Sequence, residues 1–241
     1  MGAVHGVHLK YVASSVACAT AARSVDDEAR FLLWAALWYC AALQMLIAIC
    51  FVLRVGMQML GKSHKTGLVP LWSYVLFWGF HLPTWLYTYL HTKHSVAHGT
   101  PVATEVVPGW WIGGRYGSQL KRKWAATIDL TTEFPESCMD TTTEYLLLPC
   151  WDGVPPTPAQ IDEAAKLAAR CCENGDIMVH CAHGRGRSTC VMVACLVKAG
   201  LFATWEEAFV ACKQKRKVIS LNKKMRRALS TWQETFMNRK V

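Results

Sequence analysis

The 241 residues carry a formal net charge of +9 and are 52% hydrophobic, although 18% are charged. Such a hydrophobic share is high for a wholly soluble protein, and the length allows either one domain or a smaller domain with an attached segment. The apolar excess is concentrated before residue 93, which divides the chain into an apolar N-terminal part and a more polar C-terminal part.

Two runs without charged residues are long enough to cross a membrane. The first lies between Arg30 and Arg54, and the second extends from Thr66 to Thr92. A membrane-spanning helix needs about 20 apolar residues, and both runs reach that length. Aromatic residues lie toward the ends of the runs, as at membrane interfaces. These are Trp34, Trp38, Trp72, Trp85 and Tyr89. The runs predict transmembrane helices over 31–53 and 68–92.

Other interpretations of these runs stay open. A hairpin of core helices in a soluble protein would contain similar segments, although few soluble helices lack a charged face. Pro83 frees a backbone carbonyl and can kink a helix, so a re-entrant or tilted segment also fits the second run. The weaker apolar stretch from Tyr11 to Ala22 fits a transit segment. The first run has no small-residue cleavage site before Arg54, unlike a cleaved signal.

The charges that flank the two runs do not decide their orientation. The connecting loop has three basic residues (Arg54, Lys62 and Lys65), and the opposite flanks also have three (Arg23, Arg30 and Lys93). The positive-inside rule therefore gives a tie. The 11 cysteines form no paired CxxC motifs and many lie in apolar contexts, which is typical of free thiols in a reducing compartment. We expect an integral membrane protein whose soluble domain faces the cytosol; the sequence does not indicate the organelle.

From about residue 100, strand and helix patterns alternate. A strand or hairpin is predicted at 105–114, followed by strands at 124–131, 144–149 and 176–181. One helix is predicted from the N-cap Thr157, with Pro158 at its first position, to Asn174. Further helices are predicted from Ser188 to Ala199, Thr204 to Lys215 and Asn222 to Asn238. This alternation predicts an α/β domain whose sheet is covered by helices on both faces.

The segment from Ile177 to Val197 contains the strongest candidate for chemistry. Cys181 follows a short apolar strand, and ligands of α/β sheets bind beyond the carboxyl ends of such strands. Gly184 and Gly186 permit the unusual dihedral angles of a sharp turn. Successive backbone N–H groups in such a turn form a nest that binds anions. The helix predicted from Ser188 adds the positive end of its dipole.

The side chains around this turn fit nucleophilic attack on a phosphate. Arg187 can grip two phosphate oxygens with its planar guanidinium. The same positive surroundings lower the pKa of Cys181, so that its thiolate is available as an in-line nucleophile. We expect His180 to hydrogen-bond the backbone of the loop rather than to transfer the reacting proton. Ser188 is expected to stabilise the thiolate when it leaves a phospho-cysteine.

The residues from His180 to Ser188 resemble the HCxxGxxRS signature of cysteine-dependent dual-specificity phosphatases, in the protein-tyrosine-phosphatase superfamily. The resemblance extends from about Val106 to Lys240 and includes the VPGWWIGG segment and Asn222. It implies an α/β domain with a central sheet flanked by helices, and hydrolysis through a phospho-cysteine without a metal ion or other cofactor. It assigns phosphate binding to residues 182–187, namely Ala182, His183, Gly184, Arg185, Gly186 and Arg187.

The resemblance also implies a general acid on a loop upstream of the nucleophile. Asp152 fits this role, because it follows a predicted strand and lies in the proline-rich LPCWDGVPPTP segment. An ordinary turn aspartate in Asp-Gly is the alternative for this residue. Asp162 fits less well, since it falls within a predicted helix. The Trp151-Asp152 pair departs from the commonest acid loop of the family.

The same residues allow other interpretations. A metal site of His180, Cys181 and His183 is disfavoured, because three ligands packed within four residues rarely converge in a tetrahedron. A nucleotide P-loop is disfavoured, because its GxxxxGK[ST] spacing and lysine are missing. A rhodanese-type sulfur transferase would also place a cysteine after a strand, but Arg187 and Ser188 favour phosphate. A folded binding module with a dead site remains the main alternative to an enzyme.

Basic residues near the loop and in the C-terminal segment bear on the substrate. His183 and Arg185 are expected to add positive character to the pocket, and Arg185 falls where related lipid phosphatases carry lysine. Residues 198–241 contain 11 Lys or Arg and three Glu. This surplus fits a solvated helix face, anionic headgroups or acidic phosphoproteins. Nucleic acid is not expected, because no basic strand interleaved with aromatic residues is present.

The sequence thus predicts a membrane-anchored phosphatase that acts on phosphotyrosine and phosphoserine or phosphothreonine in proteins. Phosphoinositides or other phospholipids are the alternative substrates, and the oligomeric state is not indicated. The predicted organisation is a tail (1–30), a membrane anchor (31–92), a linker (93–104) and a catalytic domain (105–241).

Overall fold

The structure is a computed structural model that describes residues 6–25 and 29–237. The N-terminal layer is helical, with α1 (Val7–Arg23), α2 (Phe31–Leu53), α3 (Leu71–Leu76) and α4 (Trp78–Ala97). The C-terminal half contains β1 (Ala103–Val107), β2 (Trp110–Gly113), β3 (Trp124–Thr131), β4 (Thr142–Cys150), α5 (Pro158–Cys171), β5 (Ile177–His180), α6 (Arg187–Lys198), α7 (Trp205–Lys215) and α8 (Lys223–Phe236). Asn238, the predicted end of the last helix, lies outside the described residues.

The C-terminal half is an α/β fold around a mixed five-stranded sheet of order β1-β2-β5-β3-β4. Strands β2, β5, β3 and β4 are parallel, and β1 pairs antiparallel with β2 at the edge. Every residue of β3 and β5 is buried, as expected for strands covered by helices on both faces. The prediction of an α/β domain with a central sheet flanked by helices is confirmed. The antiparallel edge arises from the predicted hairpin at 105–114.

Helix α5 begins as its sequence predicts. The Thr157 hydroxyl accepts from the Gln160 amide, and the Gln160 side chain accepts from the Thr157 amide, which completes a capping box. Pro158 occupies the first helical position, where its missing N–H leaves no bond unmade. The start of α5 is therefore fixed directly after the loop that contains Asp152.

Residues 1–30, predicted as a tail, contain helix α1, which packs antiparallel to α2. The Ser15 hydroxyl donates to the carbonyl of Ala41 at 2.7 Å, and the Tyr11 ring lies 5.1 Å from that of Phe51. The N-terminal end of α1 therefore lies beside the C-terminal end of α2.

The second apolar run does not form one helix over 68–92. Helix α3 ends at Leu76 and α4 begins at Trp78, because the backbone of Phe77 leaves the helical conformation between them. Among the described helices, α2 is the one that is long and apolar enough to cross a membrane.

Hydrogen bonds from α2 explain how this broken segment is stabilised. Pro83 cannot donate to the carbonyl four residues earlier, that of Gly79. The Gln44 side chain supplies the missing donor at 2.5 Å. At the break itself, the Tyr39 hydroxyl donates to the carbonyl of Leu76. The middle of α2 thus supports the point at which α3 and α4 meet.

Both ends of the α3–α4 segment contact the C-terminal half. In the loop before α3, buried Lys62 donates to the carboxylate of Asp129 on β3. Near the end of α4, the Ser95 hydroxyl accepts from Arg185. Between these ends the segment also contacts the C-terminal half, since the Phe80 ring of α4 lies 5.9 Å from the ring of Trp151. Helix α4 continues to Ala97, into the segment predicted as a linker (93–104).

Candidate active site

The loop after β5 forms a tight turn at the carboxyl edge of the sheet. The backbone N–H of Cys181 donates to the carbonyl of Gly113 on β2 at 3.2 Å. Gly184 has a φ of +66°, and a Cβ at this position would lie 2.5 Å from the carbonyl carbon of Gly113. Only glycine fits there, so the predicted need for a glycine applies to Gly184. Helix α6 begins at Arg187, and its positive end faces the loop.

Cys181 lies in surroundings that favour its thiolate. The side chain is buried, and its Sγ is 3.4 Å from the hydroxyl of Ser188. Burial raises the pKa of the Cys181 thiol, but the charge of Arg187 and hydrogen bonds from Ser188 outweigh it. The pKa of Cys181 is therefore lower than that of an ordinary thiol.

Arg187 is buried and held by groups that the sequence did not point to. Its Nη2 donates to Glu133 at 2.9 Å, and its Nη1 donates to the carbonyl of Leu130 at 2.9 Å. Its Nε has no hydrogen-bond partner among the described residues. A buried donor without a partner is costly, and a phosphate oxygen in the loop would satisfy it. Glu133 thus fixes the orientation of the guanidinium group. The Nε–H of Arg187 remains available to an anion.

Asp152 lies on the same side of the loop as Arg187. Its Oδ1 is 3.5 Å from Nη2 of Arg187. Burial raises the pKa of Asp152 and Glu133 adds to the effect, while Arg187 opposes both; the pKa lies above its usual value. The next residue in the acid loop, Gly153, accepts a 2.8 Å hydrogen bond from Asn222. Asp162 instead pairs with Lys198 in the helical layer.

Trp151, the unusual residue of the acid loop, is held by the N-terminal helices. Its ring lies 4.9 Å from that of Phe51 on α2 and 5.9 Å from that of Phe80 on α4. Its indole N–H donates to the carbonyl of Val55 at 2.7 Å. The position of Asp152 therefore depends on the packing of helices that the sequence assigned to a membrane anchor.

The expectation that His180 bonds the loop backbone is wrong. Its Nε2 donates to Glu136 at 2.6 Å, and its Nδ1 has no partner among the described residues. Burial lowers the pKa of His180, but the charges of Glu136 and Asp129 raise it by a larger amount. The pKa of His180 is therefore above its usual value, at about 9. The same pairing holds the pKa of Glu136 well below its usual range, despite burial. A buried ion pair thus lies next to Cys181.

Asp129, Glu136 and His180 are also close enough together to hold a metal ion. Lys62 already donates to Asp129, and His180 already donates to Glu136, so each carboxylate has a cationic partner. This arrangement neutralises the cluster without a metal ion.

Replacement of His180 by glutamine is expected to destabilise the fold, because Glu136 would remain buried without its cation. The loss is about 3–5 kcal/mol. In the wild type, the raised pKa of His180 gives stability that is complete below about pH 6.5 and declines as pH rises through about 9. The lowered pKa of Glu136 gives stability that is complete above about pH 4.5 and declines in acid. Denaturant unfolding of the wild type and the variant across pH measures both contributions to the free energy of unfolding. A His180→Gln variant as stable as the wild type at pH 6 would contradict the ion pair.

The prediction that His183 adds positive charge is wrong. Its ring packs against those of His91, at 4.5 Å, and Tyr87, at 5.7 Å, on α4. Burial and the neighbouring charges of His91 and Arg187 hold the pKa of His183 well below its usual value, so the ring is neutral. The Arg185 side chain donates to Ser95 at 3.1 Å, and its charge is directed to the end of α4.

Arg216 is a further residue of the site that the sequence did not single out. Its Nε donates to the carbonyl of Gly184 at 2.9 Å, and its Nη1 donates to Pro101 and Thr104 at the start of the domain. Burial lowers its pKa to about 10. In the sequence it is one of several basic residues in KQKRKV, and nothing there distinguishes it from a solvated arginine.

Residues 119–235 match the family model of the dual specificity phosphatase catalytic domain. The chain therefore contains a catalytic domain of the dual-specificity phosphatase family, and the prediction of a cysteine-dependent phosphatase is confirmed.

Solved structures with similar folds cover the C-terminal half. Human DUSP28 is 17% identical with a TM-score of 0.50, and the match covers 57% of this chain and 96% of that chain. A mouse putative dual specificity phosphatase complexed with zinc tungstate is 19% identical with a TM-score of 0.50, covering 57% and 89%. PTPMT1 in complex with PI(5)P is 20% identical with a TM-score of 0.49, covering 58% and 99%. The first two matches show the fold alone. No curated protein matches the sequence.

Proposed function

We propose that this phosphatase hydrolyses phosphomonoesters through a phospho-cysteine at Cys181. In this proposal Arg187 binds the phosphate, Asp152 is the general acid and base, and Ser188 stabilises the thiolate. The observation that carries the proposal is the donor of Arg187 left without a partner beside a thiol of lowered pKa and an aspartic acid of raised pKa.

In the first step, the Sγ of Cys181 attacks phosphorus from the side opposite the leaving oxygen. The S–P bond forms as the P–O bond breaks, and the electron pair of that bond goes to the leaving oxygen. Protonated Asp152 donates its proton to this oxygen, so that a neutral alcohol leaves. Backbone N–H groups of residues 182–186 and the guanidinium of Arg187 stabilise the charge on the phosphoryl oxygens.

In the second step, the carboxylate of Asp152 accepts a proton from water while the water oxygen attacks phosphorus. The new O–P bond forms, the S–P bond breaks, and the electron pair returns to sulfur as thiolate. The Ser188 hydroxyl, 3.4 Å from Sγ, donates a hydrogen bond to that thiolate. Inorganic phosphate leaves, and Asp152 is protonated again.

The proposed acid is tested by replacing Asp152 with asparagine. Because Asp152 acts in its protonated form, its contribution falls as pH rises through its raised pKa. The wild type is expected to lose kcat on that alkaline limb, and the variant to lack the limb. Removal of a general acid costs about 10²–10⁴-fold. The loss in kcat/KM, which reports the first step, is expected to be greatest for a phenyl phosphate and small for a fluorinated aryl phosphate. Equal losses in kcat/KM on both would assign the acid elsewhere, whereas kcat also includes the second step, in which Asp152 is the base.

A binding module with a dead site is the competing function. Wild-type protein that binds aryl phosphates or phosphopeptides yet releases no phosphate would favour that module. The two functions are therefore separated by one measurement of phosphate release on the full chain.

The N-terminal helices are proposed as a membrane anchor, with α2 as the inserted helix and α3–α4 as a re-entrant segment. Large apolar side chains that are exposed lie almost entirely in these helices. After residue 97, those of the described part are Leu201, Val210 and Met237. Exposed apolar surface of this extent indicates a membrane or a partner. The free cysteines favour a catalytic half in the cytosol.

Extraction from membranes tests the anchor. The protein is expected to stay in the pellet after high salt and alkaline carbonate, and to dissolve in detergent. Recovery in the aqueous fraction without detergent would contradict membrane insertion.

A further inference from the structure

We infer that helices α1 and α4 form a wall of the substrate site, and that the substrate is a phosphomonoester carried on an apolar chain, a membrane lipid phosphate. The inference rests on the proposed phosphatase activity and adds the substrate class to it. It follows from how the phosphate loop is covered, from the lining of one cavity and from the surface around it.

The N-terminal helices cover the catalytic loop. Cys181 is 2% exposed and Arg187 is not exposed at all. Tyr87 and His91 on α4 pack directly against His183 within the loop. A substrate must therefore pass between the helices to reach the nucleophile.

One cavity of about 220 Å³ lies between the covering helices and the catalytic residues. The lining on the helix side is mixed: Val7, Lys10, Tyr11 and Ser14 of α1, Gln44 of α2, and Pro83, Thr84, Tyr87 and Thr88 of α4. On the other side lie Glu133, Asp152, Ala182 and His183. The cavity thus joins the proposed acid and the phosphate loop to a wall whose exposed surface is mostly apolar, with hydroxyl and amide groups between the apolar side chains. A compound with a phosphate at one end and hydrocarbon at the other matches this division.

Lys10 supplies a positive charge at this cavity. It is exposed, it lines the cavity, and its Nζ lies 4.2 Å from the centre of the Tyr87 ring. Among the described lining residues, the basic side chains are Lys10 and His183, and the acidic ones are Glu133 and Asp152. A cation at the rim attracts a dianionic phosphate toward the loop, while the remaining wall accommodates the chain.

The surface around the covering helices is apolar. Leu9 of α1 and Leu82, Trp85 and Leu86 of α4 are all about half exposed or more. If α2 is inserted in a membrane, lipid chains cover these side chains, and a lipid phosphate reaches the cavity without entering water. A phosphopeptide would have to bring polar backbone groups through the same apolar surface, at a cost in desolvation. These observations favour a lipid over a phosphoprotein.

The test uses the full chain at a fixed detergent concentration. Phosphate release is measured from water-soluble diacylglycerol phosphates of increasing acyl length, each kept below its critical micelle concentration, from an aryl phosphate and from a phosphotyrosine peptide. Because these chains leave water when they bind, the kcat/KM for the longest-chain lipid is expected to exceed that for the shortest-chain lipid at least tenfold. Burial of about two methylene groups supplies that factor.

Three variants locate the effect in the cavity. Ser14→Phe places a ring in the cavity and is expected to remove the dependence on chain length. Lys10→Gln is expected to raise KM for the lipids more than for the aryl phosphate. Lys93→Gln is the matched control, since Lys93 is an exposed lysine of α4 that does not line the cavity. It is expected to behave as the wild type with every substrate.

The outcomes distinguish the inference from the proposed function. Hydrolysis of the aryl phosphate without any dependence on chain length, or with the phosphopeptide preferred to all lipids, would overturn the lipid site and leave the phosphatase mechanism intact. A chain-length dependence that Ser14→Phe leaves unchanged would also overturn it. No phosphate release from any of the substrates would contradict the proposed function itself, and the inference with it.

Discussion

Cys181→Ser is expected to abolish phosphate release while the protein stays folded. Serine has nearly the shape of cysteine, so the buried position beside Ser188 is filled, but a hydroxyl does not ionise at neutral pH. The expected loss in kcat is about 10⁴-fold or more, as for other nucleophiles of covalent catalysis. Turnover of a fluorinated aryl phosphate by full-length protein in detergent measures it. Cys172→Ser, which changes a half-buried cysteine at the end of α5, is the matched control.

A second measurement, on the wild type, does not depend on turnover. The lowered pKa of Cys181 predicts rapid alkylation by iodoacetate below the pH at which ordinary thiols react. Mass spectrometry should find this modification at Cys181 in the wild type, and phosphate should protect against it. A variant that keeps turnover, or a wild-type Cys181 no more reactive than Cys172, would contradict the assigned nucleophile.

Local patterns sufficed to predict the C-terminal half and the catalytic loop. Strand β5, the turn at Gly184 and the start of α6 follow one another within a few residues, so their meeting requires no knowledge of distant contacts. The capping box at Thr157 is equally local. Asp152 could be placed because a strand and a proline-rich loop precede a recognisable helix start.

Residues that act through distant partners could not be found in this way. Glu133 orients Arg187 from 54 positions earlier in the chain, and its own segment has no motif. His183 and Arg185 are of residue types that can give a phosphate pocket positive charge, yet α4 covers the first and hydrogen-bonds the second. The roles of these residues depend on how deeply each side chain is buried and on which group it contacts, and residue type alone does not reveal either.

The N-terminal part shows why an apolar run alone does not define a span. The run from Thr66 to Thr92 has the length of a transmembrane helix, but Pro83 removes a donor that Gln44 of α2 replaces. The Gln44 amide of α2 therefore finds its acceptor, the carbonyl of Gly79, only when α4 packs beside α2. Lys62 counted as a flanking charge for topology, whereas the structure places it inside the C-terminal half.

Lys62→Met is expected to detach the N-terminal helices from the catalytic half, the second largest effect that the structure predicts. The Lys62 ammonium is buried, donates to the Asp129 carboxylate and also bonds Thr131 at 2.9 Å. Without it, Asp129 remains buried with an uncompensated charge, at a cost of about 3–5 kcal/mol. Because Trp151 is held by the same helices, the acid loop is expected to loosen as well.

The detachment is measured by limited proteolysis and by denaturant unfolding, both in detergent micelles. The effect on the acid loop is measured by comparing the activity on aryl phosphates with poor and good leaving groups. Cleavage is expected to quicken in the segment between α4 and β1, and phenyl phosphate activity to fall more than fluorinated aryl phosphate activity. Lys65→Met, at an exposed lysine three residues along the loop, is the matched control. Adding Asp129→Asn to Lys62→Met removes the stranded charge and should recover part of the stability. A double variant that is less stable than Lys62→Met would show that Asp129 stabilises the fold through other partners, Tyr145 at 3.0 Å among them, and not through Lys62.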